Sequence, residues 1–196
     1  MCKFDFYSLL KRRMYRKIET ENFILIACNQ IILESAIEGN IELSEQIKAL
    51  VPNDWTKFGE RALAFSLEKI KSSETEKDWW SYLPILKSEN RLIGLCGYKG
   101  SPDENGMVEI GYEIKNDYHN KGFATEIANA LIEDAFKNEK ITYILAHTLG
   151  QDNASTKVLK KCGFEKVQDI ENSELGTIWK WELKREQYKS INGSQR

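Results

Sequence analysis

The 196-residue chain is 41% hydrophobic and 30% charged, with a formal net charge of -2, a balance too apolar for a disordered chain and too charged for a membrane-embedded one. So small a net charge gives no broad positive field, which argues against nucleic acid as a partner. Four scattered cysteines with only two histidines argue against a zinc site and for reduced thiols.

No segment approaches the roughly eighteen apolar residues of a membrane span. The basic cluster Lys11, Arg12, Arg13, Arg16 and Lys17 follows the only apolar patch of the N-terminal stretch, an order wrong for a secretory signal. The cytoplasm is therefore the expected location, with no membrane partner.

The length suits one domain, expected over 18–185 between a mobile arm at 1–17 and a frayed polar tail at 186–196. Residues 23–28 read as a buried strand, and helical stretches are expected at 30–38 and 45–50. The segment Val51-Pro52-Asn53-Asp54-Trp55 breaks the pattern as a loop. Phe58, Ala62, Phe65 and Ile70 then mark a further amphipathic helix over 57–70. Residues 79–86 and 91–99 read as two strands of a hairpin turning at 87–90.

After a turn at 101–106, residues 107–114 alternate cleanly. Val108, Ile110, Tyr112 and Ile114 share one face, and Glu109, Gly111 and Glu113 share the other. Ala124, Ile127, Ala128, Leu131, Ile132 and Ala135 form the apolar stripe of a helix that must pack on a sheet. A strand at 141–147, a short helix marked by Ala154, Val158, Leu159 and Cys162, and strands at 164–169 and 176–183 complete the pattern.

The junction between the 107–114 strand and the following helix carries the first chemical signal. The first amides of a helix lack intrahelical acceptors and the helix dipole is positive there, so such a junction attracts anions. Gly122 and Ala124 leave that backbone uncovered. The same residues equally suit a plain helix start packed on a sheet. Neither Gly-x-Gly-x-x-Gly nor Gly-x-x-x-x-Gly-Lys-Ser/Thr occurs, which weakens nucleotide-fold readings.

His119-Asn120-Lys121-Gly122-Phe123-Ala124 resembles the cofactor signature Gln/Arg-x-x-Gly-x-Gly/Ala of the GNAT superfamily of N-acetyltransferases. Val108-Glu109-Ile110-Gly111-Tyr112, followed by Gly122-Phe123-Ala124-Thr125-Glu126, resembles the branch related to ribosomal-protein N-terminal acetyltransferases. Asn153-Ala154-Ser155, then Val158-Leu159, Lys161 and Gly163-Phe164, resembles a later motif of the same branch.

This resemblance spans roughly residues 23–183. It implies an α/β fold with a mixed, mostly antiparallel sheet splayed at its fourth strand and helices on both faces. The implied activity is transfer of acetyl from acetyl-coenzyme A to a primary amine by direct attack in a ternary complex. The acceptor stays open between a protein N-terminus and a small-molecule amine. A homodimer formed through the C-terminal strand is compatible with the pattern, and a non-catalytic acetyl-coenzyme A sensor or assembly subunit is the alternative function.

Carried over position by position, the resemblance implies that the strand end at Ile114 pairs with the pantetheine arm. The amides of Asn120, Lys121, Gly122, Phe123, Ala124 and Thr125 would hold the phosphates, with His119 standing where the family has Gln or Arg. Asn153 would contact the cofactor arm, although an Asn starting a short helix is also an ordinary N-cap, and Asp152 fits the family spacing as well.

An ammonium with a pKa of roughly 10.4 must lose a proton before it can attack. Glu109 is the expected base and Glu113 the second candidate; a solvated strand carboxylate is the plain alternative. The Ile114 amide would stabilise the oxyanion. Relatives place a Tyr acid where this chain has Leu159. Ser155, one helical turn earlier, is the candidate donor to the departing thiolate, unless its hydroxyl only bonds the helix backbone. Cys162 is expected in the core, and Trp55 is expected to line the acceptor pocket.

Overall fold

The computed structural model describes residues 15–193, so most of the arm expected at 1–17 lies outside the described residues. The strands are β1 (Lys17–Glu19), β2 (Phe23–Ala27), β3 (Ser81–Leu86), β4 (Arg91–Leu92), β5 (Gly94–Tyr98), β6 (Met107–Ile114), β7 (Tyr143–Leu149), β8 (Glu165–Asn172) and β9 (Gly176–Lys184). The helices are α1 (Gln30–Glu38), α2 (Asn40–Ile47), α3 (Gly59–Ser72), α4 (Phe123–Phe136), α5 (Ala154–Lys161) and α6 (Arg185–Gly193). One sheet runs β1-β2-β3-β5-β6-β7-β9-β8, with β4 paired to β3.

Every pairing between these strands is antiparallel except β6 with β7, which is parallel and reaches only from Met107↔Tyr143 to Glu109↔Leu145. On its other edge β6 stays paired with β5 as far as Gly94↔Ile114. The sheet therefore opens into a V past Glu109, at the fourth of its long strands when β2, β3, β5 and β6 are counted. Lys99 N donates to Glu109 O (2.9 Å) and Lys115 N to Ile93 O (2.8 Å), so the odd-numbered residues of β6 aim their peptide groups at β5. Those of Tyr112 and Ile114 consequently face the V.

The alternation read from the sequence sorts the two cores. Val108, Ile110 and Ile114 pack with Tyr82, Tyr98, Ile127 and Leu131 on the α4 side. On the opposite side Ile26, Leu83, Leu92 and Leu95 of the sheet meet Ile32, Leu33, Leu43 and Leu63 of α1 to α3. Each such side chain contributes about 1.5–3 kcal/mol by leaving water. Arg16 anchors the start of β1 to α4, its Nη2 donating to the buried Asp134 carboxylate at 2.6 Å, which also accepts from Tyr98 Oη at 3.0 Å. The segment entering β1 is thus bound from Arg16 onward.

Three expectations change. The helix expected at 45–50 lies earlier, at Asn40–Ile47, because Lys48 turns left-handed (φ 59°) and ends it. The tail expected to fray forms α6. It is held by the Arg185 guanidinium, which donates to the carbonyls of Ile141 (2.7 Å), Phe136 (2.9 Å) and Asn138 (2.6 Å), and by Tyr188, whose ring lies tilted against Phe136 at 4.9 Å. The last strand, β9, is interior between β7 and β8, so it offers no free edge for dimerisation; the edge belongs to β8, whose charged side chains discourage pairing. Among the described residues no helix is long and apolar enough to cross a membrane.

Candidate active site

The loop joining β6 to α4 closes one mouth of the V. A single 3-10 turn over Asn116–Tyr118 leads into Asn120 (φ 62°) and Gly122 (φ 81°), both left-handed. Backbone of this kind gathers successive N–H groups into a concavity suited to anions. The amides of Asn120, Lys121 and Gly122 have no acceptor among the described residues, and those of Phe123, Ala124 and Thr125 open the helix, where no intrahelical partner exists.

At Gly122, no atom lies within 4 Å of where a Cβ would stand, so the concavity is open. Phe123 pins the loop from below by an edge contact with Phe23 at 5.1 Å. Glu126 ties the first turn of α4 to the β1–β2 turn, accepting from Thr20 Oγ1 (2.6 Å) and Asn22 N (2.7 Å). His119 is turned back on the strand, its Nε2 donating to Ile114 O at 2.9 Å. The imidazole therefore covers one of the two Ile114 peptide groups that face the V.

On the polar face of β6, Glu109 and Glu113 lead different lives. Glu113 accepts from Thr56 Oγ1, from Lys57 N at 3.0 Å and from Phe58 N at 3.4 Å. Its carboxylate is therefore engaged by the segment that leads into α3. The Lys115–Asp54 ion pair and the Lys57–Asn116 bond (3.1 Å) fix the same loop beside a cleft of about 190 Å³, lined by Trp55, Thr56, Glu113, Ile114 and Asn116 among others. Trp55 itself is 4% exposed and belongs to the second core, so it forms the cleft's wall from within.

Glu109 instead stands at the last β6–β7 register position, where the V opens. Its carboxylate accepts from Lys99 Nζ and from His147 Nδ1 at 2.9 Å. Burial pushes the Glu109 carboxyl up, but Lys99 and His147 together outweigh it and hold it below the usual carboxylate range. The sequence reading did not single out His147 or Lys99. The signal was the period-two pattern continued through β7, which puts His147 on the same face as Glu109 once the strands pair in parallel.

The other wall of the V is α5. Asn153 caps it, its side chain accepting from Thr156 N at 3.0 Å while Thr156 Oγ1 accepts from Asn153 N at 3.0 Å. The N-cap role is therefore realised, and the Asn153 side-chain oxygen is committed to the helix. Ser155 is half-buried in the first turn, with its carbonyl accepting from Tyr112 Oη at 3.3 Å. Tyr112 thus reaches from β6 to α5, bringing a phenol to the wall where Leu159, 1% exposed, offers no proton donor. Cys162 is buried, and burial pushes its thiol up to about 12, consistent with a packing residue.

Comparison with known proteins places this architecture. A family model described as an acetyltransferase (GNAT) domain matches residues 42–165. The chain is 28% identical over 149 residues to the uncharacterized N-acetyltransferase YjdG of Bacillus subtilis, covering 75% of this chain and 88% of that protein. Its fold is similar to that of RimL, a ribosomal L7/L12 alpha-N-protein acetyltransferase solved with coenzyme A (TM-score 0.63, 13% identity, 86% and 98% of the two chains). It is also similar to aminoglycoside acetyltransferase AAC(6')-Ib solved with coenzyme A (TM-score 0.59, 18% identity, 86% and 98%). At those identities the structural likenesses bear on the fold alone.

Proposed function

Because the chain belongs to the GNAT family of acetyltransferases, we propose that it transfers the acetyl group of acetyl-coenzyme A to a primary amine by direct attack, with both substrates bound together. The observation that carries this reading is the V past Glu109, with unpartnered strand groups along one edge and the open amide concavity around Gly122 at its mouth. A pantetheine arm needs hydrogen-bonding groups of an unpaired strand edge, and a pyrophosphate needs clustered N–H donors. RimL and AAC(6')-Ib both bind coenzyme A, which supports the same donor here.

In this reading the amides of 120–125 hold the phosphates, His119 and Asn153 flank the arm, and the Tyr112 peptide groups and the N–H of Ile114 face it. An Ile114 N–H facing the V is suited to the carbonyl oxygen that becomes negative during attack. Glu109 belongs to the proton-accepting side. Ser155 and the nearby Tyr112 phenol line the side from which sulfur departs, where a hydrogen bond stabilises a thiolate. The acceptor is a protein N-terminus or a small-molecule amine, the two classes that RimL and AAC(6')-Ib represent.

Burial of Leu159 is the one observation favouring an acetyl-coenzyme A binder without turnover. Thermal unfolding with and without acetyl-coenzyme A, run beside thiol release in the presence of amines, tests both. Stabilisation with amine-dependent thiol release supports transfer, stabilisation alone supports the binder, and no stabilisation overturns both.

A further inference from the structure

We infer that Nε2 of His147 takes the amine's proton, with the Glu109 carboxylate orienting the imidazole instead of accepting the proton itself. This rests on the acetyl transfer proposed above and assigns its base.

The geometry carries the assignment. A carboxylate only accepts hydrogen bonds, so the 2.9 Å contact between His147 Nδ1 and Glu109 Oε1 requires the ring to donate from Nδ1. Nε2 is left with its lone pair. It has no partner among the described residues, and the side chain is 26% exposed at the point where β6 and β7 part.

Glu109 is less exposed, at 17%, and is already bonded to both His147 and Lys99. To receive a proton from an amine it would have to surrender one of those partners. Of the two side-chain types the imidazole is intrinsically the stronger base, which suits it better to take a proton from an ammonium. Glu113 is engaged by Thr56 and Lys57 of the segment leading into α3. The charged groups on the ring's face of the sheet are Glu109 from β6, Lys99 following β5, and Lys180 and Glu182 from β9, with Lys180 opposite His147 in register.

The protons balance simply. The ammonium gives one proton to His147 and through it to solvent. Nitrogen then bonds the thioester carbon, the carbon–sulfur bond breaks, and the second nitrogen proton leaves with sulfur as the thiol.

The chain has two histidines, which makes the assignment readable by nitrogen NMR of the imidazoles without any substrate. His119, donating from Nε2 to a carbonyl, should be the Nε2–H tautomer and serves as the internal contrast; His147 should be Nδ1–H when neutral.

In parallel, kcat/KM is followed against pH with the fastest of four acceptors: an Ala-initiated peptide, a Ser-initiated peptide, spermidine and ribostamycin. His147→Gln should lower the plateau by roughly 10²–10⁴-fold and abolish the acid limb. Glu109→Gln keeps an acceptor for Nδ1, so it should retain the limb. Unchanged acetyl-coenzyme A stabilisation in both variants shows that they fold.

A neutral Nε2–H tautomer at His147 overturns the inference, as does a limb that survives His147→Gln and vanishes in Glu109→Gln. If none of the four amines is acetylated, the tautomer alone decides. Failure of wild type to be stabilised by acetyl-coenzyme A would instead count against the transfer reading, and leaves the tautomer result standing by itself.

Discussion

Replacing Gly122 by alanine separates the loop's backbone requirement from its proposed ligand. The residue sits at φ 81°, and no atom lies within 4 Å of the new Cβ, so the free protein meets strain and no clash. A left-handed backbone costs an L-residue roughly 1–2 kcal/mol, and losing glycine's unfolded-state freedom returns about 0.4–1 kcal/mol. The net loss, about 1 kcal/mol by that difference, corresponds to a Tm fall of about 2–4 °C for a domain of this size.

The ligand effect is separate. Acetyl-coenzyme A at a hundred times its Kd should stabilise wild type by about 2.7 kcal/mol. A methyl group intruding on the concavity and weakening binding tenfold leaves about 1.4 kcal/mol at the same concentration. Differential scanning fluorimetry over a ligand titration reads both quantities. A variant that keeps the full wild-type shift would refute the placement of the phosphates on this loop.

Three further outcomes test other parts of the account. Glu113→Ala should cost about 1–3 kcal/mol by stranding the Thr56 hydroxyl and two amides, toward the low end because Lys57 and Phe58 are exposed, read as a lowered urea midpoint. Asp134→Asn should cost about 3 kcal/mol, the low end for breaking a buried pair, since the Arg16 side chain is 34% exposed; a smaller midpoint change than Glu113→Ala would show that Arg16 does not anchor α4. For Glu109, a carboxyl held low in the folded state stabilises above its unfolded value of roughly 4.3 and loses that contribution as pH falls through the folded value. The Tm curves of wild type and Glu109→Gln should therefore converge below roughly pH 4, whereas a constant offset down to pH 2 would contradict the Lys99 and His147 contacts.

Much of this was legible in the chain because local periodicity and burial agree. In β6 the alternation of Val108, Ile110 and Ile114 with Glu109, Gly111 and Glu113 gave both bounds of the strand, and the stripe from Ala124 to Ala135 gave α4. Where burial is slight the reading slipped. In α2, Ile41 is 72% exposed and misleads any search for an apolar stripe, while the stop at Lys48 is a backbone event with no side-chain signature. Helix α6 draws much of its support from a guanidinium on three carbonyls and an aromatic contact, with few apolar positions to announce a helix.

The candidate site divides in the same way. The amide loop and Glu109 are local features and could be named in advance. His147 is 38 residues from Glu109 and meets it only through parallel pairing. The occupation of Glu113 depends on a loop 57 residues earlier in the chain. Neither follows from spacing along the sequence.

The most direct test of the central claim is thiol release from acetyl-coenzyme A by wild-type protein, measured with and without the four amines and followed by mass analysis of the acceptor. Amine-dependent release with one acetyl group added to the amine is the predicted result. Stabilisation of the fold by acetyl-coenzyme A with no amine-dependent release from any acceptor would contradict transfer and support a binding protein built on the same fold.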